Sequence, residues 1–311
     1  MTDRVPERRG GATGAPLPTP EPSEEPEWAF SEGDEIVPGI HQLRLLGRAR
    51  RYEAHLAWHD SMLAVVVVKI LRPDRVEDRS ALEGLASEAR ALEALDHPVL
   101  VRSFGGALDG PRPHLVLEFL EGPRLSTLIR KYGPLAIEQA VPLAVQLCSA
   151  LHFMAFKGWV HLDVKPKNII MGAPARLIDL SVAYTVDEAA ALDVPVGTDA
   201  YMAPEQIEPG SLGSPGPASD VWGMGMTLFE AVTGERPFGR GNDADRFPQL
   251  HQERVPFSED VPPRLAEIVE SCLAPDPEAR PTARDVAEAL EPLVAMLPKR
   301  PIIGRLKPRL H

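Results

Sequence analysis

The chain has 311 residues, of which 44% are hydrophobic and 25% charged, and its formal net charge is −12. This length suits one two-lobed domain with tails or two small domains. The acidic charge argues against nucleic acid as a partner, because a phosphate backbone requires a basic protein surface. Two isolated cysteines predict neither a metal cluster nor a disulfide.

Targeting signals are absent from the pattern of hydropathy. The longest apolar run, at residues 63–68, is far shorter than the ~20 residues that a membrane span requires. The N-terminal arm as a whole is acidic and rich in proline, and it lacks the apolar core of a signal peptide. We therefore expect a cytoplasmic protein without a transmembrane segment.

Residues 1–38 are predicted to form a disordered arm. Prolines alternate with small and acidic residues in this segment, at Pro16, Pro18, Pro20, Pro22 and Pro26. Such a segment buries too little apolar surface to offset the entropy lost on ordering. The composition leaves open a docking or phosphorylation function and an inert solvated tail.

A small β-rich unit with one helix is predicted at residues 39–121. The β-branched run at residues 63–70 suits a strand buried on one face and partly on the other. A helix is expected at about residues 80–95, because an Ala-, Leu- and Glu-rich pattern there is followed by Pro98. Further strands are expected near residues 99–104 and 115–119.

Residues 122–297 are predicted to be mostly helical. The apolar periodicity indicates helices at residues 139–156, 220–233, 266–273 and 283–296. The second of these is apolar nearly all round, so it should be deeply buried. Residues 298–311 form a basic tail, for which contact with an acidic partner or an anionic surface and simple solvation both remain open.

Three oxygen-bearing side chains follow one another in the helical part. Asp163 and Asn168 lie in a loop between two apolar runs, and Asp179 follows a short apolar strand at residues 175–178. Carboxylate and amide oxygens at this spacing suit Mg²⁺, which takes one or two protein ligands and leaves its other positions to water and phosphate. Upstream, Lys69 ends a buried strand and needs a partner for its charge, and Glu88 in the next helix is the obvious candidate.

Further motifs stand in order along residues 40–297. They are Val66-Val67-Val68-Lys69, Ser87-Glu88-Ala89, Leu117-Glu118-Phe119-Leu120-Glu121-Gly122, Asp179-Leu180-Ser181, Ala203-Pro204-Glu205, Ser219-Asp220-Val221-Trp222-Gly223 and Asp276-Pro277-Glu278-Ala279-Arg280-Pro281. With the segment from His161 to Asn168, they resemble the eukaryotic-like serine/threonine protein kinases of bacteria. The resemblance implies an α+β, two-lobed protein-kinase fold, with a β-rich N-lobe at about residues 39–121 and a helical C-lobe at about residues 122–297.

The resemblance also implies roles in phosphoryl transfer from ATP to serine or threonine of a protein substrate. Asp163 would orient or accept the hydroxyl proton, and Lys165 would stabilise the moving phosphoryl group. Lys69 would hold the α- and β-phosphates, and Glu88 would position Lys69. Thr198 matches the threonine that bonds the catalytic aspartate and shapes the substrate groove.

The cofactor site follows from the same resemblance. Asn168 and Asp179 would hold Mg²⁺, with Mn²⁺ as the alternative cation. Leu117 would be the gatekeeper of the adenine pocket. The residues expected to bind ATP are Gly47, Ala49, Ala54, Val67, Lys69, Leu117, Glu118, Leu120 and Ile170.

The phosphate-covering loop departs from the family pattern. Glycine is retained at Gly47, whereas the other two glycine positions hold Ala49 and Tyr52. A glycine lets the backbone approach phosphates without an obstructing Cβ. Three arginines in the loop would supply charge to phosphates or would simply be exposed, and the sequence leaves both open. Ala54 and Val67 exchange the two residue types that roof adenine, so volume is nearly conserved and the site should stay open.

Two departures concern control of activity. Leu162 stands where regulated kinases have the arginine that binds a phosphorylated activation loop, so we expect an enzyme that loop phosphorylation does not switch on. Ser181 replaces a glycine, so the segment should flip less freely. Glu205, Arg280 and Asp220 are expected to have an architectural and not a catalytic function. The alternative to an active kinase is a pseudokinase that acts as a nucleotide-binding or scaffolding module.

Overall fold

An antiparallel sheet of six strands forms the N-terminal part of the chain. The structure is a computed structural model and describes residues 26–239 and 241–297; the expected arm up to residue 25 and the basic tail lie outside these residues. The strands pair in the order β1-β2-β3-β4-β6-β5. They are β1 Glu35–Val37, β2 Ile40–Arg48, β3 Tyr52–His59, β4 Ala64–Leu71, β5 Ser103–Ala107 and β6 His114–Glu118.

Strand β4 divides its side chains between two layers. Val66, Val68 and Ile70 have no exposed surface and pack on the outer face against β1, β2 and β6. Alternate residues of a strand face opposite sides of the sheet. Lys69 therefore lies on the inner face, toward helix α1 at Arg79–Ala94. The Asp78 side chain begins this helix by accepting hydrogen bonds from the backbone N–H of Ser80 and Ala81.

The segment before β1 is ordered and packs against the sheet. Trp28 Nε1 donates to the carbonyl of Leu71 at 2.7 Å, and the carbonyl of Phe30 accepts from Gln42 Nε2 at 2.7 Å. The Arg112 guanidinium lies 5.1 and 4.9 Å from the two aromatic rings. The expected boundary at residue 38 is therefore wrong, because two aromatic side chains supply the apolar surface that the rest of the arm lacks.

Helices dominate after residue 122, as expected. The long helices α3 and α6 cross the centre of this lobe, and 13 of the 17 residues of α6 are buried, so its expected deep burial is confirmed. The helices are α2 Leu125–Tyr132, α3 Ile137–Phe156, α4 Val186–Ala190, α5 Pro204–Ile207, α6 Pro217–Thr233, α7 Pro263–Cys272 and α8 Ala283–Met296.

Helix α3 has the length and apolar composition of a membrane span. However, 50% of its apolar window is buried, and Leu143, Leu147 and Met154 lie in the core of the lobe. Length and composition alone are therefore weak evidence for a span in this helix.

The segment between the two lobes corrects one expected strand. Residues 99–101 do not join the sheet; Leu177 donates its N–H to Val99 and accepts one from Val101, at 2.7 and 3.0 Å. Strand β5 begins later, at Ser103. The apolar pattern at residues 99–101 thus reports burial, but the hydrogen-bond partner is the second lobe.

Four short strands lie on the side of the second lobe that faces the first; the space between the two lobes is called the cleft below. They form two antiparallel pairs, β7 with β10 and β8 with β9. Their bounds are β7 Trp159–Val160, β8 Ile169–Ile170, β9 Arg176–Leu177 and β10 Tyr184–Thr185. The loops that join them carry the polar residues singled out by the sequence.

Candidate active site

The loop that carries Asp163 is held by hydrogen bonds to helix α6. The buried Asp220 carboxylate accepts the backbone N–H groups of His161 and Leu162, both at 2.7 Å. Burial raises the pKa of Asp220 to about 7, and the two N–H bonds oppose that rise. A Cβ at Gly223 would lie 3.0 Å from the carbonyl of Val164, so a glycine in α6 permits this close approach. The expected architectural function of Asp220 agrees with this geometry.

Asp163 is the centre of a hydrogen-bonded group. Lys165 Nζ lies 2.6 Å from Asp163 Oδ2, and the Thr198 hydroxyl donates to Asp163 Oδ1 at 2.6 Å. Lys165 Nζ also donates to Thr198 Oγ1 at 2.5 Å. Asn168 Nδ2 donates to Asp163 Oδ2 at 2.9 Å and to its carbonyl at 3.0 Å. Donors from two segments thus orient one carboxylate at the cleft.

A second group joins the two lobes. Lys69 Nζ donates to both Glu88 oxygens, at 2.8 and 2.7 Å, and to Asp179 Oδ1 at 2.9 Å. Burial would lower the pKa of Lys69, but attraction to the two carboxylates outweighs it and the pKa is raised. The expected pairing of Lys69 with Glu88 is present, and the same ammonium group also reaches Asp179.

Asp179 combines partial exposure with an unusual backbone. Its φ of 69° lies in the left-handed region, which costs a non-glycine residue roughly 1–3 kcal/mol. Burial would raise the pKa of its carboxyl, but Lys69 and a hydrogen bond from the Ser181 side chain hold that pKa well below its usual range. The carboxylate is therefore charged, and its side chain is 39% exposed. A strained and ionised aspartate at the cleft suits a functional site.

Asn168 and Asp179 fit the chemistry of Mg²⁺. Both Asn168 donor bonds go to Asp163, so its amide oxygen is the atom with ligand chemistry for the cation. Among the described residues, no group of three or more His, Cys, Asp or Glu side chains could hold a metal. A cation with two protein ligands and substrate phosphates as the rest fits this site better than an all-protein cage.

The residues expected to contact adenine line up on neighbouring strands. Gly47 pairs with Ala54 across β2 and β3, and Val67 pairs with Leu117 across β4 and β6. Glu118 ends β6, Leu120 follows in the connection between the lobes, and Ile170 lies in β8. Ala49 lies at the hairpin between β2 and β3, where its N–H donates to the carbonyl of Tyr52 at 2.8 Å. Their contact with ATP stays a prediction.

Two contacts at the cleft were not predicted from the sequence. Arg176 in β9 forms an ion pair with Glu118, at 2.9 Å, and thereby ties the lobe connection to the second lobe. Tyr52 is buried beside Lys69. An arginine inside an apolar strand was a signal for the first link, whereas a bulky residue at a glycine position was the signal for the second.

The loop arginines have protein partners. Arg48 Nη2 lies 2.5 Å from Glu27 Oε2, and Arg51 Nη2 donates to Ser80 Oγ at 3.3 Å. These two arginines thus contact the segment before β1 and helix α1. Of the three arginines considered as phosphate ligands, Arg50 at the hairpin tip keeps that hypothesis open.

Three further motif residues, Glu205, Arg280 and His161, are buried. Arg280 Nη1 and Nη2 bind the two oxygens of Glu205 at 2.7 and 2.9 Å, and both side chains have no exposed surface. His161 is fully buried, its Nδ1 accepts the N–H of Asp163 at 3.2 Å, and burial lowers its pKa. A neutral packed imidazole agrees with the expectation that His161 is no proton carrier.

The two lobes and the two polar groups at their cleft define a protein kinase domain. The family model described as "protein kinase domain" matches residues 40–290, and the chain belongs to this family. The expected α+β fold is thereby confirmed.

Bacterial serine/threonine kinases are among its relatives. The chain is 32% identical over 253 residues to the serine/threonine-protein kinase PknB of Mycolicibacterium smegmatis, an alignment that covers 76% of this chain and 40% of that protein. PknB of Mycobacterium tuberculosis is 31% identical over the same length. PknA of Mycobacterium tuberculosis is 32% identical over 226 residues, which cover 69% of this chain and 52% of PknA. The chain thus spans less than half the length of the PknB proteins that it matches.

Proposed function

We propose that the chain transfers the γ-phosphate of ATP to serine or threonine hydroxyls of a protein substrate. The observation that carries the proposal is the group around Asp163. Both of its carboxylate oxygens accept hydrogen bonds, from Thr198, Lys165 and Asn168, so the carboxylate has one orientation before substrate arrives. Pre-oriented charge of this kind supplies much of the rate in phosphoryl transfer.

Each residue of the two groups has a task in this reaction. Asp163 aligns the acceptor hydroxyl and takes its proton, and Lys165 stabilises charge on the moving phosphoryl group. Lys69 neutralises charge on the α- and β-phosphates of ATP. Mg²⁺, with Mn²⁺ as an alternative, would be held by Asn168 and Asp179 and would supply further positive charge to the phosphates.

Transfer of labelled phosphate from ATP tests the proposal. Wild type should phosphorylate itself or a general acceptor protein in the presence of Mg²⁺. Asp163→Asn should lose at least about 99% of this activity, since it removes a proton acceptor and a positioned acceptor contributes about 10²–10⁴-fold. Asp109→Asn, at an exposed position outside the cleft, is the matched control. Equal activity of wild type and Asp163→Asn would refute the proposed mechanism.

A pseudokinase is the second candidate. The observation in its favour is Tyr52, a bulky side chain at a position where the family has glycine. ATP and Mg²⁺ would then raise the melting temperature without any transfer of phosphate, because binding to the native state stabilises it. Retention of the complete group around Asp163 favours the enzyme.

We further propose that phosphorylation of the activation segment does not control this enzyme. Leu162 is 3% exposed and packs in an apolar cluster with Val160 and with Ala189 of α4. It stands where regulated kinases have a phosphate-binding arginine, and its own contact with the activation segment requires no phosphate. The Thr185 hydroxyl already bonds Glu188 Oε2 at 2.9 Å in the cap of α4. A phosphate there would face this carboxylate, and like charges repel.

Thr185→Asn is the variant that tests independence from loop phosphorylation. Asparagine keeps a good helix cap but cannot be phosphorylated in place of threonine. Its activity should stay within about twofold of wild type, since the cap energy changes little. An inactive Thr185→Asn beside an active Thr185→Ser would contradict the proposal.

Protein substrates and a cytoplasmic location complete the proposal. The element Ala203-Pro204-Glu205 favours a protein over a small-molecule acceptor, since it anchors the end of the activation segment through the buried bond to Arg280. Cys148 and Cys272 are free and buried, which suits a reducing compartment.

A further inference from the structure

The residue at the third glycine position of the phosphate-covering hairpin does not face solvent. Tyr52 begins β3 and is 9% exposed, and it belongs to the same apolar core as Leu71, Ala81 and Leu85. Burial is the main reason that the pKa of its phenol is raised to about 12. A side chain is therefore packed inward where the family leaves the hairpin without one.

The Tyr52 ring covers the ammonium group of Lys69. Lys69 Nζ lies 4.7 Å from the ring centroid, within the range of a cation–π contact. The same nitrogen donates to Glu88 and Asp179, and its side chain is 13% exposed. Such a contact is stronger in a desolvated site than at the surface, so the ring helps to hold the lysine in one position.

The other end of Tyr52 rests on helix α1. Its hydroxyl donates to the carbonyl of Ala81 at 3.4 Å. A Cβ at Gly84 would lie 3.2 Å from the Tyr52 hydroxyl oxygen, so the glycine makes room for it. Ala81, Gly84 and Glu88 share one face of the helix, since residues three, four and seven apart are neighbours there. The hairpin is thus joined to α1 about two turns before the glutamate that binds Lys69.

We propose that Tyr52 is a positioning residue for phosphoryl transfer. Its ring orients the ammonium of Lys69, and its hydroxyl couples the phosphate-covering hairpin to the helix that carries Glu88. A glycine at this position would make neither contact. The inference rests on the proposed kinase function, and it explains how the lysine and glutamate stay paired without a signal from the activation segment.

Two substitutions of Tyr52 separate its ring from its hydroxyl. Tyr52→Leu keeps an apolar side chain but removes the aromatic face, and it should lower kcat/KM for ATP about tenfold, as expected for the loss of a desolvated cation–π contact. Tyr52→Phe keeps the ring and should lose about twofold to fivefold, since one neutral hydrogen bond contributes little. Tyr132→Leu is the matched control, because it removes an exposed lysine–tyrosine contact of 5.0 Å on α2 and should leave kcat/KM unchanged.

A second readout does not depend on phosphate transfer. Crystal structures of wild type, Tyr52→Leu and Tyr132→Leu report the position of Lys69 Nζ relative to Glu88. Without the ring, Lys69 Nζ should move out of hydrogen-bond distance of Glu88 in Tyr52→Leu, whereas it should keep both bonds in wild type and Tyr132→Leu. A role in filling the core alone would lower the melting temperature without moving Lys69 Nζ.

Gly84→Ala tests the contact without changing Tyr52. Its methyl group would displace the Tyr52 hydroxyl and should lower kcat/KM, whereas the same change in Tyr52→Phe should cost less because the crowded oxygen is gone. An unchanged kcat/KM together with an unmoved Lys69 Nζ in Tyr52→Leu would overturn the proposal. If Tyr52→Leu does not fold, equal effects of Gly84→Ala in the wild-type and Tyr52→Phe backgrounds would overturn it. If wild type transfers no phosphate, the kinase proposal fails, and the position of Lys69 Nζ in the crystal structures decides whether Tyr52 positions the lysine.

Discussion

Leu162→Ala is expected to loosen the activation segment. The Leu162 side chain packs with Val160 and Ala189, and Tyr184 and Leu192 border this cluster. Core Leu→Ala changes cost about 2–5 kcal/mol, and a small cluster near the cleft can partly collapse, so we expect a loss of about 2–3 kcal/mol in the free energy of unfolding. The φ of 57° at this position is equally strained with alanine, so the backbone contributes little to the difference.

Urea or thermal unfolding measures the loss of global stability, and amide hydrogen exchange measures the local opening of the activation segment. A loss of this size should lower the melting temperature by about 4–12 °C in a domain of this length. Leu290→Ala is the matched control, because Leu290 in α8 is fully buried and far along the chain from the activation segment.

Local opening distinguishes the two variants. The backbone amides of α4 should exchange faster in Leu162→Ala than in Leu290→Ala at equal global stability, since only the first removes a contact of that helix. Equal exchange of α4 in both variants would refute the claim that Leu162 holds the segment in place.

Two further predictions concern the buried charges. Glu205→Gln should lower the free energy of unfolding by about 3–5 kcal/mol because it leaves the Arg280 charge buried without its partner. Glu288→Gln, the control, breaks the exposed pair with Arg284 and should cost no more than about 0.5 kcal/mol. Equal losses of stability for both variants in urea unfolding would contradict the first prediction. Asp220 binds a proton more tightly in the native state, so its stabilising contribution falls as pH rises from 3.8 to about 7. The stability difference between wild type and Asp220→Asn should therefore change across this window, and a flat difference would contradict the raised pKa.

Much of the site follows from local sequence. The alternation of Val66, Val68 and Ile70 places Lys69 on the opposite face of β4, because the side-chain period of a strand is two. The short spacing between Asp163, Lys165 and Asn168 keeps them in one loop whatever the rest of the chain does. Periodicity likewise predicted helix α6 and its burial, although its first turn begins at Pro217 and not at residue 220.

Contacts between distant segments were decided by the tertiary structure. The sequence identified Tyr52 only as a residue that replaces a glycine of the phosphate-covering loop, but Gly84 on another element provides the space that buries it. Trp28 was assigned to a disordered arm by its proline-rich neighbours, yet the outer face of the sheet supplies its partner. Composition averages over a segment, whereas one well-placed aromatic residue suffices for docking.

The sequence by itself determined the family, the fold and the polar residues at the cleft, since these follow from short motifs in a set order. Only the tertiary structure decided how those residues are held: Leu162 by apolar packing against α4, Glu118 by Arg176, and Lys69 by the Tyr52 ring as well as by Glu88. The physical reason is that each of these supports joins residues far apart in the chain. Their free energy depends on distance and burial, which a linear pattern does not contain.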